Sequence, residues 1–359
     1  MNAARLVAPL ALVTLAGCLG GDVDSGASDI IGGVDASSPR LDAVGAMGTK
    51  DADGAFDYFC TATLIGPKAV LTAKHCATSA AGETPRLAYE KIYFAVGADS
   101  HAPKQVVQAV NVLLSPLDEG GMVDFGSDVA VYILAEPVKD VTPMPWAKAH
   151  LSGAEVGKKF AAVGYGVQDR QRTSGTRKAG TLTLQAVEGQ PMHRIFPTRE
   201  AFDAHMAKHE SQAWIDANKT RLDELYDLTL LAGHEAYLGM GPGDAQPCSG
   251  DSGGPLVATI DGKLTVVAVV SGSFKGASYP CSTVGEVYAT LGEKAQPMID
   301  SATGPCEGVS VEGHCDAFTT AVRCVAATEG PQQVTRTDCS ILGQACGIVE
   351  GKAACVDAP

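Results

Sequence analysis

The stretch QPCSGDSGGP, residues 246–255, surrounds one aspartate and one serine, Asp251 and Ser252, with glycine and other small residues. Such a composition favours a tight backbone turn whose amide groups face a ligand, rather than a helix or a strand. A serine in that turn can act as a nucleophile only if the chain also supplies a base, a group that orients the base, and donors for the negative charge that develops on an attacked carbonyl. If Ser252 is catalytic, the remaining sequence must contain these groups.

Two upstream segments contain the missing residue types. The segment VLTAKHCAT places His75 next to Cys76, and GSDVAVYIL places Asp128 at the head of an apolar run. A histidine can take the proton of the serine hydroxyl, and a buried aspartate can fix the tautomer of that histidine. Each residue alone also fits a structural role, as a core histidine, a strand-end cap or a turn residue. Their joint occurrence leads us to interpret His75, Asp128 and Ser252 as a catalytic triad.

The motifs TAKHC, SDVAVYIL and CSGDSGGP, in the order His, Asp, Ser, resemble the chymotrypsin/trypsin-like serine endopeptidase family, and the resemblance extends from IIGG at Ile30 to LGEKAQPMID near residue 300. It implies an all-β fold of two six-stranded antiparallel β-barrels with a C-terminal helix, and the Ser-His-Asp mechanism known for that family. By the same resemblance, the amides of Gly250 and Ser252 form the oxyanion hole. It also implies two disulfides, Cys60–Cys76 and Cys248–Cys281.

The pattern of the chain agrees with an all-β body. Short β-branched or apolar runs separated by turn residues extend over residues 30–302, and Asp261-Gly262 between two such runs indicates a hairpin. Residues 199–231 break this pattern and predict one or two amphipathic helices inserted into the β scaffold. The apolar positions of that insertion are Phe202, Met206, Ala213, Ala217, Leu225 and Leu228.

The insertion also contains His205 and His209, four residues apart. No carboxylate or third histidine is placed to complete a metal site, so we interpret both as solvated side chains of a helix surface. The sequence predicts no metal and no cofactor.

The N-terminus and the charge balance concern location and partners. Residues 1–18, MNAARLVAPLALVTLAGC, have the pattern of an export signal whose end resembles the bacterial lipobox, with Cys18 as the lipidated residue; an ordinary cleaved signal with an incidental cysteine is the alternative. Residues 19–29 then form a linker or prosegment. Because the chain has 41 acidic and only 27 basic residues, nucleic acid is not expected as a partner, and contact with a membrane is expected only through the lipid on Cys18. We expect an exported lipoprotein of the bacterial cell envelope.

Eleven cysteines in an exported chain should be mostly paired, and lipid on Cys18 accounts for the odd number. The C-terminal module, residues 303–359, has too little apolar material for a core without disulfides. It can bind a partner or serve as an inert cap, and the sequence leaves all 15 pairings of its six cysteines open. These are Cys306, Cys315, Cys324, Cys339, Cys346 and Cys355.

The resemblance further implies activation by cleavage, in which the new N-terminus at Ile30 buries its ammonium group against Asp251. The residue before the bond is Asp29, so a trypsin-like activator is not expected and the activating protease is unknown. Such a cut would also release the enzyme from its lipid anchor. The alternative is an uncut, permanently anchored chain.

The primary specificity pocket departs from the trypsin pattern. Gln246 stands six residues before the serine, where trypsin-like relatives carry an aspartate, so plain trypsin specificity is not expected. The resemblance places Ser271 and Ser273 along the pocket and Glu286 where a glycine is usual. Glu286 either projects into the pocket floor, where it would accept a lysine or a polar residue, or lies on the surface.

Two functional hypotheses follow. The first is a secreted or surface-tethered serine endopeptidase acting on protein or peptide substrates through an acyl-enzyme. The second is a catalytically idle surface binding protein that acts through its insertion and its cysteine-rich module.

Overall fold

The computed structural model describes residues 34–78, 91–116, 128–169, 171–275, 281–293, 295–316, 319–327 and 332–357. Cys18, the linker at 19–29 and Ile30 lie outside these residues. Among the helices of the described residues, none has the length and apolar character needed to cross a membrane.

The first barrel is a closed sheet of six antiparallel strands in the order β2-β3-β4-β7-β6-β5. Its interior is apolar because whole strands, such as AVYIL at residues 130–134, are buried. The strands are β2 (Val44–Lys50), β3 (Phe56–Leu64), β4 (Ala69–Thr72), β5 (Tyr93–Val96), β6 (Gln105–Leu114) and β7 (Ala130–Leu134).

The second barrel also closes with six antiparallel strands, because the pairing of β8 with β9 joins the two ends of the sheet. The short strand β1 (Val34–Asp35) adds to β9. The predicted hairpin at Asp261-Gly262 connects β11 to β12. The fold predicted from the sequence is therefore confirmed. The strands are β8 (Lys159–Gly164), β9 (Lys178–Ala186), β10 (Glu235–Leu238), β11 (Pro255–Ile260), β12 (Lys263–Lys275) and β13 (Ser282–Thr290).

Outside the insertion, the described part of the body contains two α-helices. The helix α1 (Lys74–Ala77) follows β4 directly and contains His75. Near the C-terminal end of the body lies α6 (Gln296–Thr303), the helix that the resemblance implied, which buries Ile299 and Ala302 and contacts the first barrel.

The insertion between β9 and β10 begins earlier than the sequence predicted and contains four helices instead of one or two. It buries an apolar face against the second barrel. The helices are α2 (Pro191–Ile195), α3 (Arg199–His209), α4 (Gln212–Ala217) and α5 (Lys219–Tyr226).

Two of the predicted apolar positions of the insertion are wrong. Ala213 and Ala217 are exposed, and Trp214 and Ile215 pack against the insertion core instead. The reason is a break in the helical phase. The hydroxyl of Ser211 accepts a hydrogen bond from the Trp214 amide and starts a new helix there, so a single periodic pattern does not continue through the segment.

The C-terminal module consists of a three-stranded sheet and a hairpin held by three disulfides. Its first residues contact the first barrel, where Glu307 forms a 2.9 Å ion pair with Lys68. The strands are β14 (His314–Asp316), β15 (Thr320–Val325), β16 (Gln333–Asp338), β17 (Gln344–Val349) and β18 (Lys352–Asp357). The disulfides are Cys306–Cys324, Cys315–Cys346 and Cys339–Cys355.

Candidate active site

His75 and Asp128 are joined by two hydrogen bonds. The ring atom Nδ1 of His75 lies 2.7 Å from Oδ2 of Asp128, and the His75 amide donates to Oδ1 at 2.8 Å. The Asp128 side chain is 3 % exposed, whereas the His75 side chain is 37 % exposed. A buried carboxylate thus holds one edge of an imidazole whose ring still reaches solvent, which is the arrangement that a general base requires.

The aspartate has a third partner from the second barrel. The buried Ser271 donates a hydrogen bond of 2.6 Å from Oγ to the same Oδ2 atom that faces the histidine. Since Asp128 stands at the head of β7 and Ser271 lies on β12, this bond joins the two barrels at the carboxylate. The orientation of the imidazole therefore depends on both barrels.

Lys74 makes a second connection between the segment that contains His75 and the segment that contains Asp128. Its side chain is buried, and Nζ donates to the Ser115 carbonyl at 3.4 Å. The Ser115 amide donates to the Val129 carbonyl at 3.0 Å, next to the aspartate. Residues 73–76, here called the histidine turn, are therefore tied to the start of β7 independently of the carboxylate.

Ser252 lies in a turn that packs against the histidine turn. Its carbonyl accepts from the Thr61 amide at 2.9 Å, and Thr61 is adjacent to Cys60, which is disulfide-bonded to Cys76. A Cβ atom built on Gly253 would lie 2.8 Å from the Ala73 amide nitrogen, so the turn and the backbone before His75 are in direct contact.

Within the described residues, the Ser252 hydroxyl makes no hydrogen bond to His75, whose Nε2 has Cys76 Sγ as a neighbour at 4.0 Å. Hydrogen bonds between a nucleophile and its base are often long in the absence of substrate and tighten only when substrate binds. The structure thus joins His75 to Asp128 by hydrogen bonds and brings Ser252 to them through backbone packing.

The amides of Gly250 and Ser252 have no acceptor among the residues that the structure describes. Gly250 has φ +100°, a region that favours glycine, and an added Cβ would lie 2.9 Å from the Gly166 Cα atom. The hydroxyl of Thr61 donates to the Gly250 carbonyl at 2.8 Å and holds this peptide in place. Two unused donors on one fixed turn can bind an oxyanion.

Asp251 is buried inside the turn. Its carboxylate accepts from the amides of Gly166 at 2.7 Å and Cys248 at 2.8 Å. Burial nevertheless raises its pKa to about 6, because these two hydrogen bonds only partly offset the desolvation of the charge.

A model of the family described as Trypsin matches residues 30–212, just over half of the 359 residues. The chain belongs to the trypsin family. The match includes His75 and Asp128 and ends inside the helical insertion, before Ser252. No curated protein matches the chain.

Both disulfides that the trypsin family resemblance implied are present, Cys60–Cys76 and Cys248–Cys281. Among the described residues, one group of three side chains has the spacing of metal ligands, namely Cys60, His75 and Cys76. Because the two sulfurs are bonded to each other, they are not thiolate ligands, and the group is not a metal site. The rings of His205 and His209 contact each other on α3.

The residues assigned to the specificity pocket lie at different depths. Ser271 and Glu286 are buried, at 4 % and 2 % exposure, while Gln246 and Ser273 are half-buried. In the sheet, Glu286 pairs with Ser273 on one side and with Leu238 on the other. The surface position that the sequence left open for Glu286 is therefore wrong, because this residue stands on a central strand of a closed barrel.

Sequence reasoning missed two residues of the site. Thr61 binds the nucleophile turn with its amide and hydroxyl, and Lys74 ties the histidine turn to Ser115. Lys74 had a visible signal, since a lysine beside a candidate base is unusual in a buried motif. Thr61 had none, because its role depends on a segment about 190 residues away, as its bond to Gly250 shows.

Proposed function

We propose that this trypsin family member is an exported serine endopeptidase with His75, Asp128 and Ser252 as its triad. The observation that carries the proposal is the hydrogen-bonded chain from Ser271 through Asp128 to His75, together with the amides of Gly250 and Ser252, which have no acceptor among the described residues. Orientation of a base and preorganised donors for an oxyanion are the two features that acyl transfer needs from a protein.

In the proposed reaction, Ser252 Oγ attacks the scissile carbonyl while His75 Nε2 takes its proton. Asp128 accepts the hydrogen bond from Nδ1 and stabilises the imidazolium that forms. The amides of Gly250 and Ser252 bind the oxyanion of the tetrahedral intermediate. The imidazolium then protonates the leaving amine, and water hydrolyses the acyl-enzyme by the same steps.

We further propose that Glu286 gives the primary pocket a preference for lysine. Its carboxylate is buried, and its charge adds to burial in raising the pKa of both Tyr237 and Tyr288, which indicates that it is near both rings. A carboxylate in a pocket favours a substrate ammonium over an apolar side chain because it can both attract and hydrogen-bond the ammonium. A Glu286→Gln variant should lose the preference for lysyl over leucyl substrates.

The proposal includes activation by an unidentified protease that cleaves before Ile30. Asp251, buried and with a raised pKa, has the properties of a group that would be neutralised by the new ammonium. Lipid on Cys18 would anchor the uncut chain to the membrane, and the cut would release it. The N-terminal sequence and mass of the active form test both statements, and active protein that retains the lipid contradicts release.

The decisive test of the activity is labelling with an active-site-directed fluorophosphonate. We expect covalent labelling of the chain processed at Ile30 and none of the Ser252→Ala variant, together with hydrolysis of peptide substrates by the former alone. A correctly processed, folded chain that is neither labelled nor active would refute the endopeptidase. That result would favour the alternative, a binding protein that uses the insertion and the C-terminal module.

A further inference from the structure

The helical insertion packs directly on the strand that carries Glu286. Its core side chains form one buried cluster with residues of β10 and β13, which are Tyr237, Val284 and Val287. The insertion side chains in this cluster include Met192, Phe196, Phe202, Met206, Leu225 and Tyr226. The two valines that flank Glu286 on β13, Val284 and Val287, are therefore covered by a segment that lies far from them in sequence.

Tyr237 is the side chain that links the two. It is fully buried, its hydroxyl donates to the Val284 carbonyl, and the same hydroxyl lies 3.9 Å from the sulfur of Met192 on α2. One phenol group thus contacts the first helix of the insertion and the strand two residues before Glu286.

The ring of Tyr237 also limits the backbone immediately before Glu286. Gly285 has φ +91°, and a Cβ atom built there would lie 2.7 Å from the Leu238 carbonyl oxygen and 3.0 Å and 3.2 Å from two carbons of the Tyr237 ring. The close approach requires glycine and leaves the peptide little freedom to move toward the insertion. Residues 284–287, here called the pocket wall, are therefore held by Tyr237 through a hydrogen bond and through ring contact.

The carboxylate of Glu286 lies near the same ring, because its charge adds to burial in raising the pKa of Tyr237. The position of this carboxylate within the pocket decides how well it meets a lysine ammonium, since a misplaced charge loses both the hydrogen bonds and the Coulomb attraction. A residue that fixes the pocket wall is in a position to tune substrate preference without touching the substrate.

We propose that Tyr237 is a positioning residue for the specificity pocket, and that the helical insertion acts through Met192 and Tyr237 to hold Glu286 where it selects lysine. This inference rests on the proposed endopeptidase activity and on the role of Glu286 in its pocket. It assigns the insertion a function in substrate selection and separates that function from the triad.

The experiment compares two tyrosine variants of the chain that is processed at Ile30 and retains the C-terminal module. Tyr237→Phe removes the hydroxyl that binds Val284, while Tyr226→Phe removes a hydroxyl that binds Phe196 within the same cluster, at 3.2 Å, without reaching the pocket wall. Each variant loses one buried hydrogen bond to a backbone carbonyl, so the two are matched in the kind of bond removed. The readouts are kcat and KM for a lysyl and a leucyl amide substrate, and the rate of fluorophosphonate labelling.

We expect Tyr237→Phe to lower the lysyl-to-leucyl ratio of kcat/KM by about five- to tenfold, the worth of one hydrogen bond, mainly by raising KM for the lysyl substrate. Its labelling rate and kcat should stay within about twofold of the parent, since they depend on groups that the change leaves in place. Tyr226→Phe should leave the ratio unchanged. Met192→Leu, which keeps the volume but removes the sulfur contact, should shift the ratio in the same direction and by less.

An unchanged ratio in Tyr237→Phe would overturn the inference, and so would an equal shift in Tyr226→Phe, which would mean that only stability matters. If Tyr237→Phe fails to fold, the same criteria apply to Met192→Leu. A parent that is neither labelled nor active would instead refute the proposed function itself. An active parent with no lysyl preference would refute the pocket role of Glu286 and, with it, the role of Tyr237.

Discussion

The histidine turn of the first barrel and the pocket wall of the second barrel are held by different forces. The histidine turn, residues 73–76, is fixed mainly by hydrogen bonds to Asp128 and Ser115 and by the disulfide at Cys76. The pocket wall, residues 284–287, has strand neighbours on both sides and a hydrogen bond from Tyr237, and it also packs against an apolar cluster from the helical insertion. Directional bonds define the position of one base within tenths of an ångström, whereas packing positions a whole segment.

This difference predicts that the two regions respond separately to mutation. Changes in the hydrogen-bonded turn should reduce kcat with little effect on stability. Changes in the packed cluster should reduce stability while labelling of Ser252 persists, and those at Tyr237 or Met192 should also alter substrate preference.

The largest expected effect is that of Asp128→Asn on turnover. Asparagine has one acceptor oxygen, so it cannot accept the bonds from His75 Nδ1 and from the His75 amide on separate oxygens, and it selects the wrong tautomer of His75. We therefore expect kcat to fall by about ten-thousandfold, the magnitude known for this substitution in the triad mechanism of the family. The measurement is steady-state kcat of the processed chain, with KM and the unfolding midpoint as internal controls. A loss below about tenfold would contradict a catalytic role of the Asp128–His75 pair.

The packing of the insertion is tested by Phe202→Ala, a change in its apolar cluster. Phe202 is fully buried and its ring contacts those of Phe196, at 5.5 Å between centroids, and Tyr226, at 5.3 Å. Its truncation should destabilise the chain by about 3–5 kcal/mol, because a cavity replaces the ring. Urea unfolding measures this loss.

The matched control for Phe202→Ala is Ala213→Ser, at an exposed position of the same insertion. The control should change stability by less than about 0.5 kcal/mol. Equal effects of the two variants would mean that the insertion core does not support the second barrel.

The third prediction is a pH dependence of stability that arises from the buried Asp251. Because its pKa is raised from 3.8 to about 6, the folded chain before cleavage binds a proton more tightly than the unfolded chain. The stabilisation is complete below about pH 4 and is lost as the pH rises through 6, by up to about 3 kcal/mol.

Urea unfolding of uncut chain carrying Ser252→Ala, from pH 4 to pH 7, measures this slope. The Asp251→Asn variant in the same background cannot titrate at this position, so the difference between the two chains isolates the carboxyl group. A difference that stays constant with pH would show that Asp251 keeps an ordinary pKa.

The smallest predicted effect is that of Lys74→Met, in the histidine turn, on kcat. Lys74→Met removes the link from Nζ to the Ser115 carbonyl, and kcat should fall by about tenfold while KM is unchanged, since the histidine turn loses one of the hydrogen bonds that position the base. The low-field NMR resonance of the His75 Nδ1 proton should broaden or shift.

The control for Lys74→Met is Lys68→Met, which breaks the ion pair with Glu307 on the C-terminal module. This variant should keep both kcat and the low-field resonance. If Lys74→Met also keeps them, the buried lysine contributes to folding alone.

The fold, the hairpin and the insertion differ in how far the sequence alone predicts them. The all-β fold and the hairpin at Asp261-Gly262 were predictable because strand periodicity and turn chemistry are local properties. The insertion was predictable as helix but not in its bounds. Its helices restart at caps such as Ser211, and Pro191 starts the first one earlier than the periodic pattern shows.

The sequence by itself determined the residue types of the candidate site, their order, and the turn in which Ser252 stands, because each depends on neighbours a few residues away. Only the tertiary structure decided that Thr61 holds the nucleophile turn, that Lys74 reaches Ser115, which cysteines of the C-terminal module pair, and that Tyr237 supports the pocket wall. Each of these is a contact between segments distant along the chain. Such contacts depend on how closed barrels and inserted helices pack, and packing is a property of the whole fold rather than of any short motif.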